Sequence, residues 1–348
     1  MYLLRSIVSF LISAFIILPY AKADDDSTYI KNGIKKAESG KFVDAINDFK
    51  KALDINPKNS AAYYNIGTIK GTKLGDLNGA IKNLNIAISI NPKYADAYNN
   101  RGNVQKKLGN YFSAISDYNK AIFYKNGYSA AYYNRGSANN YLGKYLSAIN
   151  DFNKSIKLDP SNHLAFNNRG NSNFHLKKYS DAVNDYSNAI KLDPVYLKSY
   201  ENRALTRVKM TNYKEAISDY NTAIIINPKK ASLHYNLGSI LSDHMKKRRQ
   251  AIIHFDKAIK YNPQYWKSYN NRGNAKVSLG DYESALSDFN SAIMLNKKYA
   301  LSYYNRAITL YHIGEIKLAC TDFKTAAKFS ISPLSKKINR ASAQFCEN

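Results

Sequence analysis

An asparagine at one recurring position is the feature of this 348-residue sequence best suited to ligand chemistry. It returns at intervals of 34 or 35 residues, as Asn65, Asn100, Asn134, Asn168, Asn202, Asn236, Asn271 and Asn305. Three more asparagines follow three residues later, as Asn103, Asn171 and Asn274. A carboxamide offers two donors and an acceptor, so a row of them can bind a peptide backbone irrespective of its side chains. The alternative is that these asparagines hydrogen-bond neighbouring parts of the chain to each other.

Patterns typical of catalysis or metal binding are weak by comparison. The histidines are His163, His175, His234, His244, His254 and His312. None of them has a partner at a metal-ligand spacing, and no glycine-rich phosphate loop stands apart from the recurring glycines. We therefore predict no catalytic residue, no metal ligand and no cofactor, and we expect that the chain is not an enzyme.

The asparagine spacing belongs to a unit of about 34 residues that is repeated nine times. The units begin near Asp26, Ser60, Ala95, Ser129, His163, Leu197, Ala231, Trp266 and Ala300. The second and seventh units each have one extra residue. Numbered from 1, with a recurring proline at position 32, each unit predicts helix A over positions 2–14 and helix B over positions 17–30. Such a unit cannot enclose a core alone, so the units must stack on each other.

Small and aromatic residues recur at fixed positions of the unit. Position 20 is alanine in all nine units and position 8 is glycine or alanine, while aromatic residues fill positions 4, 17 and 24 in most units. With the Leu-Gly turn and the proline, this pattern resembles the tetratricopeptide repeat family over residues 26–333. The resemblance implies an all-α solenoid, a right-handed superhelix of nine helix-turn-helix repeats. It also implies a concave face, lined by helix A, that binds peptides or protein segments.

Position 7 departs from the family pattern, in which this residue is usually apolar. Six units carry arginine there and aspartate at position 23. The pairs are Arg101 and Asp117, Arg135 and Asp151, Arg169 and Asp185, Arg203 and Asp219, Arg272 and Asp288, and Arg306 and Asp322. The co-occurrence predicts a structural ion pair between helices A and B of one unit. Because such a pair is partly buried, removing one partner should cost more than the intact pair contributes.

The two ends of the chain differ from the repeats. Arg5, an apolar run over residues 7–18 and the small residues Ala21 and Ala23 predict a secretory signal peptide over residues 1–23. An uncleaved anchor is the alternative. We then expect one continuous repeat array over residues 24–333 and a C-terminal cap helix over residues 334–348. Both readings place the array outside the cytoplasm, secreted or periplasmic, without a transmembrane span after cleavage.

The two cysteines, Cys320 and Cys346, each lie 13 residues from Pro333. In an antiparallel helix pair hinged at that proline, the two side chains would lie at the same height. An oxidising compartment then predicts a disulfide bond between them. The alternative is a pair of buried free thiols.

The chain is strongly basic, with a net charge of +25, which becomes +23 when Arg5 and Lys22 are removed with the signal. Basic residues cluster at predicted turns, over residues 106–107, 177–178, 229–230, 246–249, 297–298 and 336–337. Such a charge favours acidic proteins, anionic envelope polymers or lipid headgroups. No nucleic-acid module is present, so we expect no nucleic-acid partner.

These patterns favour a non-catalytic protein-binding scaffold or adaptor that holds an extended peptide or protein segment on its concave helix-A face. The alternative is electrostatic binding of an anionic envelope polymer or membrane surface through the lysine-rich rims. The seventh unit lacks the arginine–aspartate pair, since it has Leu237 and His254 at these positions. This loss predicts either a hinge or docking point there, or a weakly stable unit.

Overall fold

The computed structural model describes residues 25–331 and 334–346. These residues form α-helices joined by short turns, with two π-helical segments and no strand among them. The chain divides into two compact units, Met1–Ala138 and Asn139–Asn348. The predicted signal peptide and Pro333 lie outside the described residues.

The first compact unit contains three helical hairpins and most of a seventh helix. Its helices are α1 (Asp26–Glu38), α2 (Phe42–Ile55), α3 (Ser60–Ile69), α4 (Leu77–Ile90), α5 (Ala95–Lys107), α6 (Tyr111–Tyr124) and α7 (Ser129–Tyr141). The boundary between the compact units falls within α7. Each odd-numbered helix is a helix A and begins at the first residue of its repeat.

The second compact unit continues the same alternation and ends with one additional helix. Its helices are α8 (Tyr145–Leu158), α9 (His163–His175), α10 (Tyr179–Leu192), α11 (Leu197–Lys209), α12 (Tyr213–Ile226), α13 (Ala231–Ser239), α14 (Arg248–Tyr261), α15 (Trp266–Val277), α16 (Tyr282–Leu295), α17 (Ala300–His312), α18 (Ile316–Phe329) and α19 (Leu334–Cys346). The predicted class, an all-α solenoid of helical hairpins with a C-terminal cap helix, is confirmed. Within the described ranges, no helix combines the length and the hydropathy needed to cross a bilayer.

Small residues allow helices A and B of each hairpin to pack closely. The position-20 alanines, from Ala45 to Ala319, are all fully buried. At position 8 of the third repeat, a Cβ atom added to Gly102 would lie 2.7 Å from Cε1 of Tyr118. The ring at position 24 therefore fills the space that the small residue leaves, which explains why aromatic and small residues recur together.

The extra residue of the second and seventh repeats is accommodated by a π-helical turn at the end of helix A. Lys70–Leu74 follows α3, and Ile240–His244 follows α13. A π-turn takes in an additional residue within a helix. The next helix therefore starts in the normal register, and the position-20 alanines Ala80 and Ala251 remain fully buried.

The turn between helices A and B uses one left-handed residue in every described hairpin. Six of these residues are glycines, with φ between 71° and 89°: Gly40, Gly75, Gly109, Gly143, Gly280 and Gly314. The other three are Lys177 (φ 61°), Thr211 (φ 61°) and Lys246 (φ 57°). Left-handed backbone is costly for residues with a Cβ atom, above all for a β-branched one.

Helix α19 covers the last hairpin of the second compact unit. Ile338 is fully buried and Ala341 is 7% exposed in a cluster that includes Phe323. A disulfide joins Cys320 of α18 to Cys346 of α19, with 5.7 Å between their Cα atoms. The pairing is the one that the sequence predicted, and it ties the cap helix to the last repeat.

Candidate binding surface on the helix-A side

The asparagine ladder, defined as the eight position-6 asparagines from Asn65 to Asn305, lies on the helices A. All eight side chains are half-buried. A half-buried carboxamide is close enough to the surface to meet a ligand and close enough to the neighbouring helix A to contact it. The hydrogen bonds of the ladder show which of its groups serve the neighbouring repeats.

In the first compact unit, the ladder donates to the preceding repeat. Nδ2 of Asn100 donates to Oη of Tyr64 at 3.1 Å and to Oγ1 of Thr68 at 3.0 Å. Nδ2 of Asn134 donates to Oδ1 of Asn99 at 3.0 Å. Both partners of Asn100 lie on α3, so this asparagine joins consecutive helices A.

The second compact unit repeats this arrangement. Nδ2 of Asn202 donates to Oδ1 of Asn167 at 3.2 Å and to Oδ1 of Asn171 at 3.0 Å. Nδ2 of Asn305 donates to Oδ1 of Asn270 at 3.1 Å. The structure therefore shows the hydrogen bonding between neighbouring repeats that was the alternative to peptide binding. Since both N–H groups of Asn202 are engaged, a ligand would meet its carbonyl oxygen.

The position-9 asparagines have a further structural partner. Asn103 and Asn171 each accept a hydrogen bond at 2.9 Å from the position-24 tyrosine of the same repeat, Tyr118 or Tyr186. Asn274 lies in a repeat whose position-24 residue is phenylalanine, which has no hydroxyl to donate. The position-9 asparagines of the third and fifth repeats therefore satisfy buried tyrosine hydroxyls.

The structure brings the predicted arginine–aspartate partners together within each of five repeats. In the third repeat, Nε of Arg101 donates to Oδ2 of Asp117 at 2.9 Å. Equivalent bonds join Arg169 to Asp185, Arg203 to Asp219, Arg272 to Asp288, and Arg306 to Asp322. The sixth predicted pair is Arg135 of the first compact unit with Asp151 of the second. The aspartates are between 2% and 6% exposed, so these are buried carboxylates.

Each arginine makes two further contacts, which the sequence pattern did not predict. Nη1 of Arg101 donates to Oδ1 of Asn85, on helix B of the preceding repeat, at 2.7 Å. The guanidinium also lies 5.4 Å from the ring centroid of Tyr98, three residues earlier. The position-25 acceptors are Asn85, Asn119, Asn153, Ser187, Asp256 and Asn290. Their recurrence with the arginine was a readable signal for this second partner.

Burial and pairing act in opposite directions on these charges. Burial raises the pKa of Asp185, although the guanidinium of Arg169 opposes this effect. Burial alone would lower the pKa of Arg272, but the hydrogen bonds that it donates to Asp288 and Asp256 raise it overall. The arginine therefore stays charged, and each buried carboxylate depends on it.

In the seventh repeat, a pair of histidines takes the place of the arginine–aspartate pair. Nδ1 of His234 lies 3.4 Å from Nδ1 of His254, and Nε2 of His234 lies 2.9 Å from the Pro228 carbonyl oxygen. A carbonyl only accepts, so Nε2 of His234 carries the proton and Nδ1 accepts from His254. Burial, with help from His234 and Lys257, lowers the pKa of His254 to about 4.

Other histidines have packing roles in the second compact unit. His175, His244 and His312 stack on the position-17 tyrosines of the preceding repeats, Tyr145, Tyr213 and Tyr282. Within the part of the chain that the structure describes, no group of three or more histidine, cysteine or acidic residues could hold a metal ion.

The predicted lysine clusters lie at the turns and differ in exposure. Lys177, Lys178, Lys297, Lys298, Lys336 and Lys337 are exposed. Lys106 is half-buried, Nζ of Lys107 donates to the Gly71 carbonyl at 2.9 Å, and Nζ of Lys230 donates to Glu201 at 2.8 Å. Several basic side chains therefore serve local structure, and the remainder are available to solvent.

Comparison with known proteins identifies the repeat. Models described as "TPR repeat" match residues 35–70, 72–109, 207–243 and 273–314, and models described as "Tetratricopeptide repeat" match residues 95–124, 129–162, 163–196, 231–265 and 254–287. No curated protein matches the sequence.

Solved structures share the fold. The C-terminal part of a TPR repeat-containing protein from Cytophaga hutchinsonii is 20% identical, with a TM-score of 0.58, and the match covers 69% of this chain and 97% of that one. PilF of Pseudomonas aeruginosa is 19% identical, with a TM-score of 0.51 over 58% and 92% of the two chains. A tetratricopeptide repeat protein from Parabacteroides merdae is 22% identical, with a TM-score of 0.50 over 70% and 96%. The chain belongs to the tetratricopeptide repeat family.

Proposed function

We propose that this chain is a non-catalytic protein-binding scaffold that holds an extended peptide or protein segment along its helices A. The observation that carries the proposal is the asparagine ladder. Its carboxamides are oriented by bonds to the preceding repeat, as in Asn100 with Tyr64 and Asn305 with Asn270. A carbonyl oxygen has two lone pairs, so one that already accepts from a neighbouring asparagine, as Oδ1 of Asn100 does from Asn99, can still accept from an N–H group of an extended backbone. Binding to a preorganised row loses little side-chain entropy.

The test must separate binding from stability, because the same asparagines join the repeats. We would replace Asn100, Asn134 and Asn168 with alanine and compare this triple variant with a matched control. The control replaces Asn85, Asn119 and Asn153, which accept from arginines on the helix-B side at 2.6–2.7 Å. Both triple variants remove asparagines that bond neighbouring repeats.

We expect both variants to lower the melting temperature, and only the ladder variant to lose the partner. Partners would be captured at about 0.5 M salt from extract of the compartment in which the protein is found. At that salt concentration, screening weakens long-range attraction between charges. Retention of the same discrete protein by wild type and both variants would refute a role of the ladder in binding.

We further propose that the scaffold acts outside the cytoplasm, secreted or periplasmic. The signal-like residues 1–23 and the disulfide between Cys320 and Cys346 support this location. Sequencing the N-terminus of protein from producing cells should give Asp24 as the first residue. A mature chain that begins at Met1, together with two thiols that react with an alkylating reagent before reduction, would contradict the proposal.

Electrostatic binding through the lysine clusters is the second candidate, favoured by the exposure of Lys177, Lys178, Lys297 and Lys298. It predicts that affinity for an anionic polymer or an anionic vesicle falls log-linearly with salt, as counterion release requires. Replacing these four lysines with glutamine should reduce that slope and leave capture of a protein at 0.5 M salt unchanged. A salt-independent affinity would exclude this candidate.

A further inference from the structure

Three tyrosines and one aspartate meet on the helix-A side of the first compact unit. This first tyrosine cluster consists of Tyr64, Tyr94, Tyr128 and Asp96. The ring centroids of Tyr64 and Tyr94 are 4.9 Å apart, and the Tyr128 hydroxyl hydrogen-bonds the Asp96 carboxylate. Burial is the main cause that raises the pKa of all three tyrosines, and the charge of Asp96 adds to it in each case. The Asp96 carboxylate therefore contacts Tyr128 and lies within electrostatic reach of the paired rings of Tyr64 and Tyr94.

A cation already lies in this cluster. Nζ of Lys125 is 4.4 Å from the ring centroid of Tyr128 and 3.6 Å from Oδ1 of Asp96. The Lys125 side chain is 53% exposed and that of Asp96 is 38% exposed, so the ammonium group can leave and solvent can reach the carboxylate. Aromatic faces beside a carboxylate form an arrangement that attracts alkylammonium groups.

The second compact unit contains a matched cluster without the acid. This second tyrosine cluster consists of Tyr235, Tyr265 and Tyr299, and the centroids of its first two rings are 5.0 Å apart. Nδ2 of Asn271 donates to Oη of Tyr235 at 3.4 Å, as Asn100 does to Tyr64. Lysine, Lys267, occupies the repeat position of Asp96, and Asn296 occupies that of Lys125. The second tyrosine cluster therefore lacks both the aspartate and the lysine that pairs with it, but it keeps the three tyrosines.

We propose that the first tyrosine cluster is a binding site for an alkylammonium group, which takes the place of the Lys125 ammonium beside Asp96. In the assembled scaffold, that group is a lysine side chain of the bound segment. This second statement rests on the proposed function, whereas the site itself does not. The second tyrosine cluster does not bind the cation, because Lys267 repels it.

Choline and its neutral isostere 3,3-dimethyl-1-butanol test the site without any partner. The full chain, with isotope-labelled tyrosine, would be titrated with each compound and followed by NMR. We expect choline to shift the ring signals of Tyr64, Tyr94 and Tyr128, and the isostere to leave them unchanged. Lys125→Met should tighten choline binding roughly 5- to 30-fold, because the internal competitor is removed. Asp96→Asn should abolish the response.

The second cluster supplies a gain-of-function control. Lys267→Asp should create a choline response at Tyr235, Tyr265 and Tyr299, which do not respond in the wild type. Choline shifts that persist in Asp96→Asn, or equal shifts of the two wild-type clusters, would overturn the proposal.

A further experiment, with a captured segment, tests whether the cation is a lysine side chain of the partner. Once a segment is captured, trimethylation or acetylation of its lysines would be compared in binding to wild type and Asp96→Asn. Acetylation should weaken binding to wild type and have no effect on the Asp96 variant. If choline binds but acetylation changes nothing, the site takes free amines and the lysine assignment is wrong. If no segment is captured at all, the scaffold proposal fails while the choline result stands.

Discussion

The second and seventh repeats connect their two helices differently from the six repeats that carry the arginine. At position 7 they have Ile66, 4% exposed, and Leu237, 1% exposed, in place of the guanidinium. At position 23 they have Asn83, which donates to its own helix at the Gly79 carbonyl, and His254, which faces His234. Both also contain the π-turn.

The difference teaches that one hairpin geometry admits two kinds of contact. An apolar side chain needs no buried charge, and Ile66 packs in one buried cluster with Ile46 and Phe49 of the preceding repeat. An arginine in the same place requires the aspartate, and it also reaches the preceding repeat, as Arg101 does at Asn85. An isoleucine or leucine cannot make this hydrogen bond. The polar version therefore links neighbouring repeats through a directed hydrogen bond, whereas the apolar version links them through packing.

The largest effect should come from combining the apolar residue of one kind of repeat with the aspartate of the other kind. Arg101→Ile places the residue of the second repeat beside an unpaired Asp117, which is 6% exposed. We expect a loss of about 3–5 kcal/mol, because a buried carboxylate is left without its partner. Urea unfolding followed by circular dichroism would measure it.

The double variant Arg101→Ile with Asp117→Asn reproduces both residues of the second repeat. It should recover most of that loss and lie within about 1.5 kcal/mol of wild type, because no charge is buried. If the double variant is as unstable as the single one, the contacts with Asn85 and Tyr98 carry the stability instead.

An intermediate effect should distinguish the seventh repeat from the second. The pKa of His254 is about 4 in the fold and about 6.5 in the unfolded chain, so the unfolded chain binds more protons between these values. The stability contributed by the neutral His254 is therefore fully present above pH 6.5 and is lost as the pH falls towards 4. Allowing for partial exposure, we expect a loss of about 1–2 kcal/mol.

His254→Asn, which installs the residue of the second repeat, should remove this part of the pH dependence. Unfolding midpoints of both proteins would be measured at pH 7.5, 5.5 and 4.5. The fall of the midpoint with decreasing pH should be smaller in the variant than in wild type. Identical pH profiles of the two proteins would contradict the shifted pKa.

The smallest effect concerns the turn, where the π-turn could alter the backbone. Thr211 follows a regular helix and Lys246 follows a π-turn, yet their φ values are 61° and 57°. Replacing either with glycine should therefore stabilise by a similar amount, about 0.5–1 kcal/mol, with the β-branched threonine gaining more. Gly109→Ala, at φ 81°, is the control of opposite sign. A gain in stability for Thr211→Gly without one for Lys246→Gly would show that the π-turn lowers the strain of the left-handed residue.

Much of the fold was readable from the sequence, because periodic packing leaves a periodic signal. The fully buried alanine at position 20 and the small residue at position 8 recur since two helices can approach only there, as Gly102 against Tyr118 shows. The pairing of Arg101 with Asp117 was readable for the same reason. Its bond to Asn85 leaves a weaker signal, because the acceptor at position 25 varies between asparagine, serine and aspartate.

The candidate site was less readable, since a surface asparagine has the same pattern whether it faces a ligand or a neighbouring repeat. Asn100 illustrates this, because only the distances to Tyr64 and Thr68 show where its N–H groups point. The cluster around Asp96 left no recurrent signal either. Its residues come from two consecutive repeats, and its acid occurs at one repeat and is replaced by lysine at another.

The sequence by itself determined the repeat, the helices and the small and aromatic residues that pack them, because each of these depends on neighbours at a fixed separation along the chain. It also indicated that the second and seventh repeats carry an extra residue. Only the tertiary structure decided that a π-turn accommodates it, that the ladder's amide groups serve neighbouring repeats, and that Lys125 lies beside Asp96 and Tyr128. These outcomes depend on which groups meet in space, and hydrogen-bond direction and ring contacts have no counterpart in residue spacing.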